Sequence, residues 1–133
     1  MRNKKLKGFT LAELLVVLCI IGILVLIALP SLMPLISKAK STEAQLQLKH
    51  VYTLEKTYFY EHSTYSSKIN EIGFEPSKGI TDGGQANYKI EITEASTEGF
   101  RVVATALVDF NGNGIMNQWE IDHNQRLVET IPD

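Results

Sequence analysis

KGFTLAELLVVLCIIGILVLIALP, residues 7–30, decides how the rest of this chain is read. From Phe9 to Leu29 there are 21 residues, and Glu13 is the only charge among them. A helix rises about 1.5 Å per residue, so this run spans roughly 30 Å, the thickness of a bilayer's hydrocarbon core. A carboxylate inside such a run is costly, and Glu13 therefore needs a reason. Ahead of it, MRNKKLKG carries Arg2, Lys4, Lys5 and Lys7 and no acid. The positive-inside rule keeps that flank cytoplasmic and sends the C-terminal part of the chain to the other side.

Three accounts compete for this segment. A secretory signal peptide has an apolar region of about 7–15 residues and then a small-residue cleavage site. Here the run is longer, and Pro30-Ser-Leu-Met-Pro34 comes after it. A plain signal anchor accounts for the length but leaves Glu13 to snorkel toward the nearby helix end. The third account uses every feature. The stretch K-G-F-T-L-A-E-L-L-V-V-L, residues 7–18, resembles the N-terminus of type IV pilins and of the major pseudopilins of type II secretion. The resemblance covers roughly the first quarter of the chain, and Pro30 falls where that family often carries a helix-loosening proline.

The resemblance implies a life history. A prepilin peptidase and methyltransferase would cut after Gly8, discard the basic leader and N-methylate Phe9. The precursor would sit in the bacterial inner membrane as a single-pass protein with a cytoplasmic N-terminus. An inner-membrane assembly machinery would then build it, with copies of itself and related pilins, into a helical filament in the periplasm or at the cell surface. Glu13 acquires a role in this scheme. Cleavage exposes an ammonium at Phe9, and both charges lose water when helices pack together. An unpaired buried charge is far costlier than a paired one. Glu13 lies four residues from Phe9, so it can face its own terminus or that of a neighbour. The resemblance favours the neighbour, where the pair would set the axial stagger between subunits, a sound use of a lone ion pair in an apolar bundle.

The 133 residues allow one small domain beside the apolar segment. Four of the 13 Lys and Arg lie in the leader, leaving nine against 15 acids. No basic patch remains, which argues against nucleic-acid binding. Cys19 is the only cysteine, so no intrachain disulfide forms. The expected organisation is a cleaved leader, 1–8; a transmembrane or filament-core helix, 9–36; and an amphipathic helix with a C-terminal sheet, 37–133. Pro30 and Pro34 interrupt the apolar run, either as a loosening device or as a simple boundary.

Beyond Ser37, Ala44, Leu48, Val51, Leu54 and Tyr58 recur at three- and four-residue spacing, one helical stripe that should end near Glu61 or His62. The aromatics Tyr52, Tyr58, Phe59, Tyr60 and Tyr65 read as packing at a helix–sheet junction. His50 and His62 read as solvated helix surface. Residues 66–86 are mostly loop, with one packed turn at Ile69, Ile72 and Phe74. Alternation then marks strands over 88–93, 99–108, 119–122 and 126–131. One long N-terminal helix on a small three- or four-stranded antiparallel sheet is an α+β fold. It resembles the pilin globular domain more loosely than the N-terminus resembles the pilin signal. No Ser/His/Asp arrangement, P-loop or CxxC pattern is present, so no enzyme is expected.

One further motif carries chemistry. Residues 109–120, DFNGNGIMNQWE, fit D-x-[DN]-x-[DN]-G-x5-E through Asp109, Asn111, Asn113, Gly114 and Glu120. Ile115 would add a backbone carbonyl, and Asp122 is an alternative closing carboxylate. Hard oxygens of this kind suit Ca²⁺, and loops of this type bind calcium in the major pseudopilins that the chain resembles. The competing reading is a plain turn in which Asn and Gly supply positive φ. Two functions from different classes are open. One is a filament subunit of a type IV pilus or a type II secretion pseudopilus, with the short C-terminal domain and this loop tilting toward the latter. The other is a membrane-anchored calcium-binding module that never polymerises.

Overall fold

A computed structural model describes residues 3–133; Met1 and Arg2, at the start of the expected leader, lie outside the described residues. The chain divides into two units, Met1–Met33 and Pro34–Asp133, and helix α1, Leu11–His62, contributes to both. Every residue in 3–33 is exposed. Leu26, for example, keeps 72% of its surface and Leu11 keeps 78%. A helix that is apolar on all sides has no face to turn toward water, so its stable setting is lipid or other apolar helices. Pro30 and Pro34, where an interruption was expected, both lie within α1. Each removes one donor, so the carbonyls four residues earlier, on Leu26 and on Pro30, lose their regular helical partner.

In the second unit α1 is amphipathic. Ser41, Ala44, Leu48, Val51 and Glu55 are its buried residues, at alternating three- and four-residue steps. The expected stripe holds through Val51. The next fully buried position is Glu55, while Leu54 and Tyr58 pack half-buried at the margin. The helix stops after His62. Ser63 takes φ 58°, and its N–H donates to the Phe59 carbonyl at 2.8 Å, a left-handed cap.

Four strands complete the chain: β1 (Tyr88–Ala95), β2 (Phe100–Ala106), β3 (Gln118–Asp122) and β4 (Leu127–Ile131). They form one antiparallel meander in the order β1-β2-β3-β4. Tyr88 and Ile90, then Phe100, Val102, Ala104 and Ala106, then Ile121, turn one face of the sheet toward Ala44, Leu48 and Val51 of α1. That is the period-two alternation of a half-covered sheet. Phe100 and Leu48 are fully buried, each contributing about 1.5–3 kcal/mol of burial energy.

Polar clasps complete the packing. Glu43 on α1 accepts from the Asn87 N–H (3.0 Å) and Nδ2 (2.7 Å) at the start of β1. Glu55 Oε2 accepts from the Ser66 N–H at 3.0 Å, and Oε1 has no hydrogen-bond partner. Burial pushes the Glu55 carboxyl up to about 7, against the opposing pull of the Ser66 amide. Of the expected aromatic cluster, Tyr52, Phe59 and Tyr65 join Phe100 through ring contacts of 4.7–5.8 Å. Tyr60 is 85% exposed and takes no part, because it projects from the side of α1 opposite the sheet-facing stripe. Tyr58 instead stacks on His62 at 4.0 Å.

Candidate functional site

Two groups of residues carry chemistry, and each is built within one unit. The first is the start of α1. The Thr10 N–H donates to Glu13 Oε2 at 2.9 Å, and the Glu13 N–H donates to Thr10 Oγ at 3.2 Å. The Leu14 N–H reaches the Thr10 carbonyl at 3.2 Å. This is a capping box with Thr10 as N-cap, and it satisfies two of the amides that a helix start leaves free. The carboxylate also lies where the helix dipole favours negative charge. Glu13 Oε1 accepts no hydrogen bond among the described residues, so one carboxylate oxygen stays open. Phe9 is 84% exposed and precedes Thr10 directly, and a side chain added at Gly8 would meet nothing. Phe9, Ala12, Glu13, Val16 and Val17 line one shallow apolar cleft. Thr10 is not among the residues expected at this site. Its signal is T-L-A-E directly ahead of an apolar run, the short pattern of a capping box.

The second group is the loop between β2 and β3. Asp109 Oδ1 accepts from the N–H of Asn111 (3.2 Å) and of Gly112 (2.7 Å), and Oδ2 accepts from the Gly114 N–H. Asn111 Oδ1 accepts from the Asn113 N–H at 2.9 Å, and Asn113 Oδ1 from the Ile115 N–H at 2.7 Å. The turn needs Gly112 and Gly114 at φ +79° and +83°, a region that residues with side chains avoid. The Gly114 amide, aided by those of Gly112, Asn111 and Asn113, holds the Asp109 carboxyl below the usual range.

Asp109, Asn111 and Asn113 are therefore drawn together, and the two carboxylates expected to close the loop are placed elsewhere. Glu120 lies within β3 opposite Val103, and Asp122 lies opposite Arg101 at the far end of that strand from the loop. Asp122 Oδ1 is occupied by the N–H groups of Asn124 (2.9 Å) and Arg126 (3.0 Å) in the β3–β4 turn. At about 3.3 Å per residue, the step from Gln118 to Asp122 carries that carboxylate about 13 Å along the sheet. The loop is anchored at its far side by Asn117, which is buried. Its Oδ1 accepts from Tyr88 Oη at 2.6 Å, and Nδ2 donates to Glu129 Oε1 (2.7 Å) and the Ile131 carbonyl (2.9 Å). No group of three or more His, Cys, Asp or Glu side chains converges as metal ligands among the described residues.

Comparison with known proteins adds an independent line. Residues 3–29 match the family model described as the prokaryotic N-terminal methylation motif. The chain is similar to the type IV major pilin protein PilA of Myxococcus xanthus, with 46% identity over 77 residues, 58% of this chain and 35% of the relative. It is similar to the type IV major pilin protein PilE of Neisseria gonorrhoeae, with 30% identity over 89 residues, 67% of this chain and 53% of the relative. It is also similar to the type IV wide pilus major component PilA4 of Thermus thermophilus, with 29% identity over 107 residues, 78% and 75% of the two chains. The chain spans about a third to a half of the length of the first curated relatives it matches. That motif over its first residues, a long helix on a four-stranded antiparallel sheet, and major pilins among its relatives together support a type IV pilin family for this chain.

Proposed function

We propose that this protein is a structural subunit of a type IV pilus, trimmed after Gly8, methylated at Phe9 and polymerised through the apolar part of α1. The observation that carries this reading is the apolar first part of α1, exposed throughout residues 11–33, whose single charge, Glu13, is held at the first turn with one oxygen open. The related proteins that are named as pilus components weigh toward a pilus rather than a secretion pseudopilus. In the precursor, Glu13 is satisfied by the Thr10 amide and by the helix dipole. Trimming creates the Phe9 ammonium. As helices pack and water leaves, Glu13 Oε1 accepts from a neighbour's ammonium, which offsets the desolvation of both charges and fixes the stagger.

The test is mass spectrometry of the native chain together with sheared surface filaments. A terminus at methylated Phe9 in filament material supports the reading, and an intact Met1 in solitary chains ends it. Glu13→Gln separates the two uses of the side chain. It keeps an acceptor for the Thr10 amide but loses the charge, so it should be processed normally and fail to assemble, like Glu13→Ala.

A second reading belongs to the 109–114 loop, whose side-chain oxygens on Asp109, Asn111 and Asn113 are of the hard kind that suits a divalent cation, Ca²⁺. Asp109, Asn111 and Asn113, with the Ile115 carbonyl, are the residues that would hold it. The donor set fits in chemistry and is sparse in charge. Asp109 already accepts three amides and retains about one of its four lone-pair sites. Water would complete the shell, and affinity would fall in the weak range of about 10⁻⁴–10⁻³ M typical of extracellular modules. Thermal melts of the full chain in detergent, with calcium and with chelator, test it. A calcium-dependent rise that Asp109→Ala abolishes supports the site, and superimposable curves remove it.

A further inference from the structure

The sequence contains two Asn-Gly steps, Asn111–Gly112 and Asn113–Gly114, and both fall in this one loop. All four residues are exposed, and a Cβ built at either glycine would meet nothing within 4 Å. Asn-Gly is the step most open to succinimide chemistry, because glycine offers no side chain to hinder attack by its own amide nitrogen. Neither burial nor crowding protects these two. The asparagine oxygens each accept one loop amide, and both attacking glycine amides are held by one carboxylate. The Gly112 N–H donates to Asp109 Oδ1 at 2.7 Å, and the Gly114 N–H donates to Asp109 Oδ2.

We propose that Asn111 and Asn113 are spontaneous deamidation sites and that Asp109 governs their rate by clamping both attacking nitrogens. In the reaction, the glycine nitrogen gives up its proton and attacks Cγ of the preceding asparagine. The C–N bond of the side-chain amide breaks, and ammonia leaves carrying the displaced proton. One water then opens the succinimide at either carbonyl, giving aspartate or isoaspartate. The net change is amide plus water to acid plus ammonia, with no oxidant or reductant. The clamp opposes the first step twice. The hydrogen bond to Asp109 must be given up, and an amide anion would form within hydrogen-bond distance of a carboxylate. Each conversion adds one negative charge to the loop, and the isoaspartate product also lengthens its backbone by one methylene.

This inference does not depend on filament assembly or on calcium. Its test is timed incubation of the full chain in detergent at mildly alkaline pH, with peptide mass spectrometry of residues 109–117. In the unsubstituted chain, both asparagines should deamidate more slowly than in the same chain unfolded in urea. Asp109→Asn keeps the side chain's shape and removes its charge. It should speed conversion at both positions by about tenfold or more, the worth of one hydrogen bond to a charged group. Asp109→Ala, which also removes the acceptor, should speed it at least as much. Ile115→Ser alters the loop without touching either clamp and serves as the control for general loosening. Rates within twofold of the parent in both Asp109 variants, acceleration by Ile115→Ser equal to theirs, or equal rates in folded and urea-unfolded parent chain would each overturn the proposal.

Discussion

Replacing Glu55 by glutamine should make the Pro34–Asp133 unit more stable above neutral pH, although it removes a native ionisable group. Glu55 is 0% exposed, and one of its oxygens has no partner. Its carboxyl is raised from 4.5 to about 7, first by burial. A raised folded-state pKa means that the native state holds the proton more tightly than the unfolded chain does. The group is therefore without penalty below about pH 4.5, and stability drains away as pH rises through the window up to about 7. With 1.36 kcal/mol per pH unit, the gap amounts to about 3 kcal/mol at most above pH 7. The substituted glutamine would still accept from the Ser66 N–H and would carry no charge. The assay is urea unfolding of the full chain in detergent micelles, followed by the fluorescence of Trp119, the only tryptophan. At pH 5 the two chains should unfold at similar urea concentrations. At pH 8 the Glu55→Gln chain should be the more stable by up to about 3 kcal/mol. All other carboxylates titrate in both chains, so the difference between the two pH profiles isolates Glu55. Parallel profiles would refute the reasoning.

Three further outcomes are expected. Asn117→Ala removes three side-chain hydrogen bonds and orphans the Tyr88 hydroxyl, so thermal denaturation should show a loss of about 2–4 kcal/mol, with the 107–117 segment losing amide protection first. Leu48→Ala opens a hole beneath the sheet at a fully buried position and should cost about 2–5 kcal/mol, whereas Leu46→Ala, at a position 63% exposed on another face of α1, should be near neutral. Asp109 has the opposite sign to Glu55. Its carboxyl lies below the usual range, chiefly through the Gly114 amide, so its contribution is present at neutral pH and is lost on acidification through the lowered value. Amide exchange at Gly112 and Gly114, corrected for intrinsic rate, should lose protection there while the β2–β3 ladder keeps it.

The parts of this fold that were legible in the sequence are those that repeat. Ala44, Leu48 and Val51 announce a helix face because three positions agree on one period. The alternation over 88–93 and 126–131 does the same for strands, and one missed residue at an end changes little. The apolar run with Glu13 is legible for a different reason. Its length and its single charge both answer to a bilayer, a solvent with simple rules. Periodicity misleads where a single buried polar group decides. Leu54 is apolar and Glu55 is not, so the sequence pattern continues the stripe through Leu54. Yet the four-residue step from Val51 lands on Glu55, and a backbone amide 11 residues away makes its burial tolerable. Nothing local to Glu55 signals that partner.

The 109–120 stretch shows the same limit from the side of the motif. Every position of the calcium pattern is filled, but the pattern presumes a helix after the loop, which curls the twelfth residue back toward the first. Here residue 118 enters a strand paired to Thr105, and each further residue moves away along the sheet. Glu120 is carried opposite Val103, and the Asp122 oxygen caps another turn. Asp109 consequently satisfies the loop amides by itself, and the turn closes on one carboxylate rather than around a full shell of ligands. A ligand pattern in a sequence specifies spacing. Whether those residues meet depends on the element that comes next, and for an extended strand only the residues on the loop itself remain within reach.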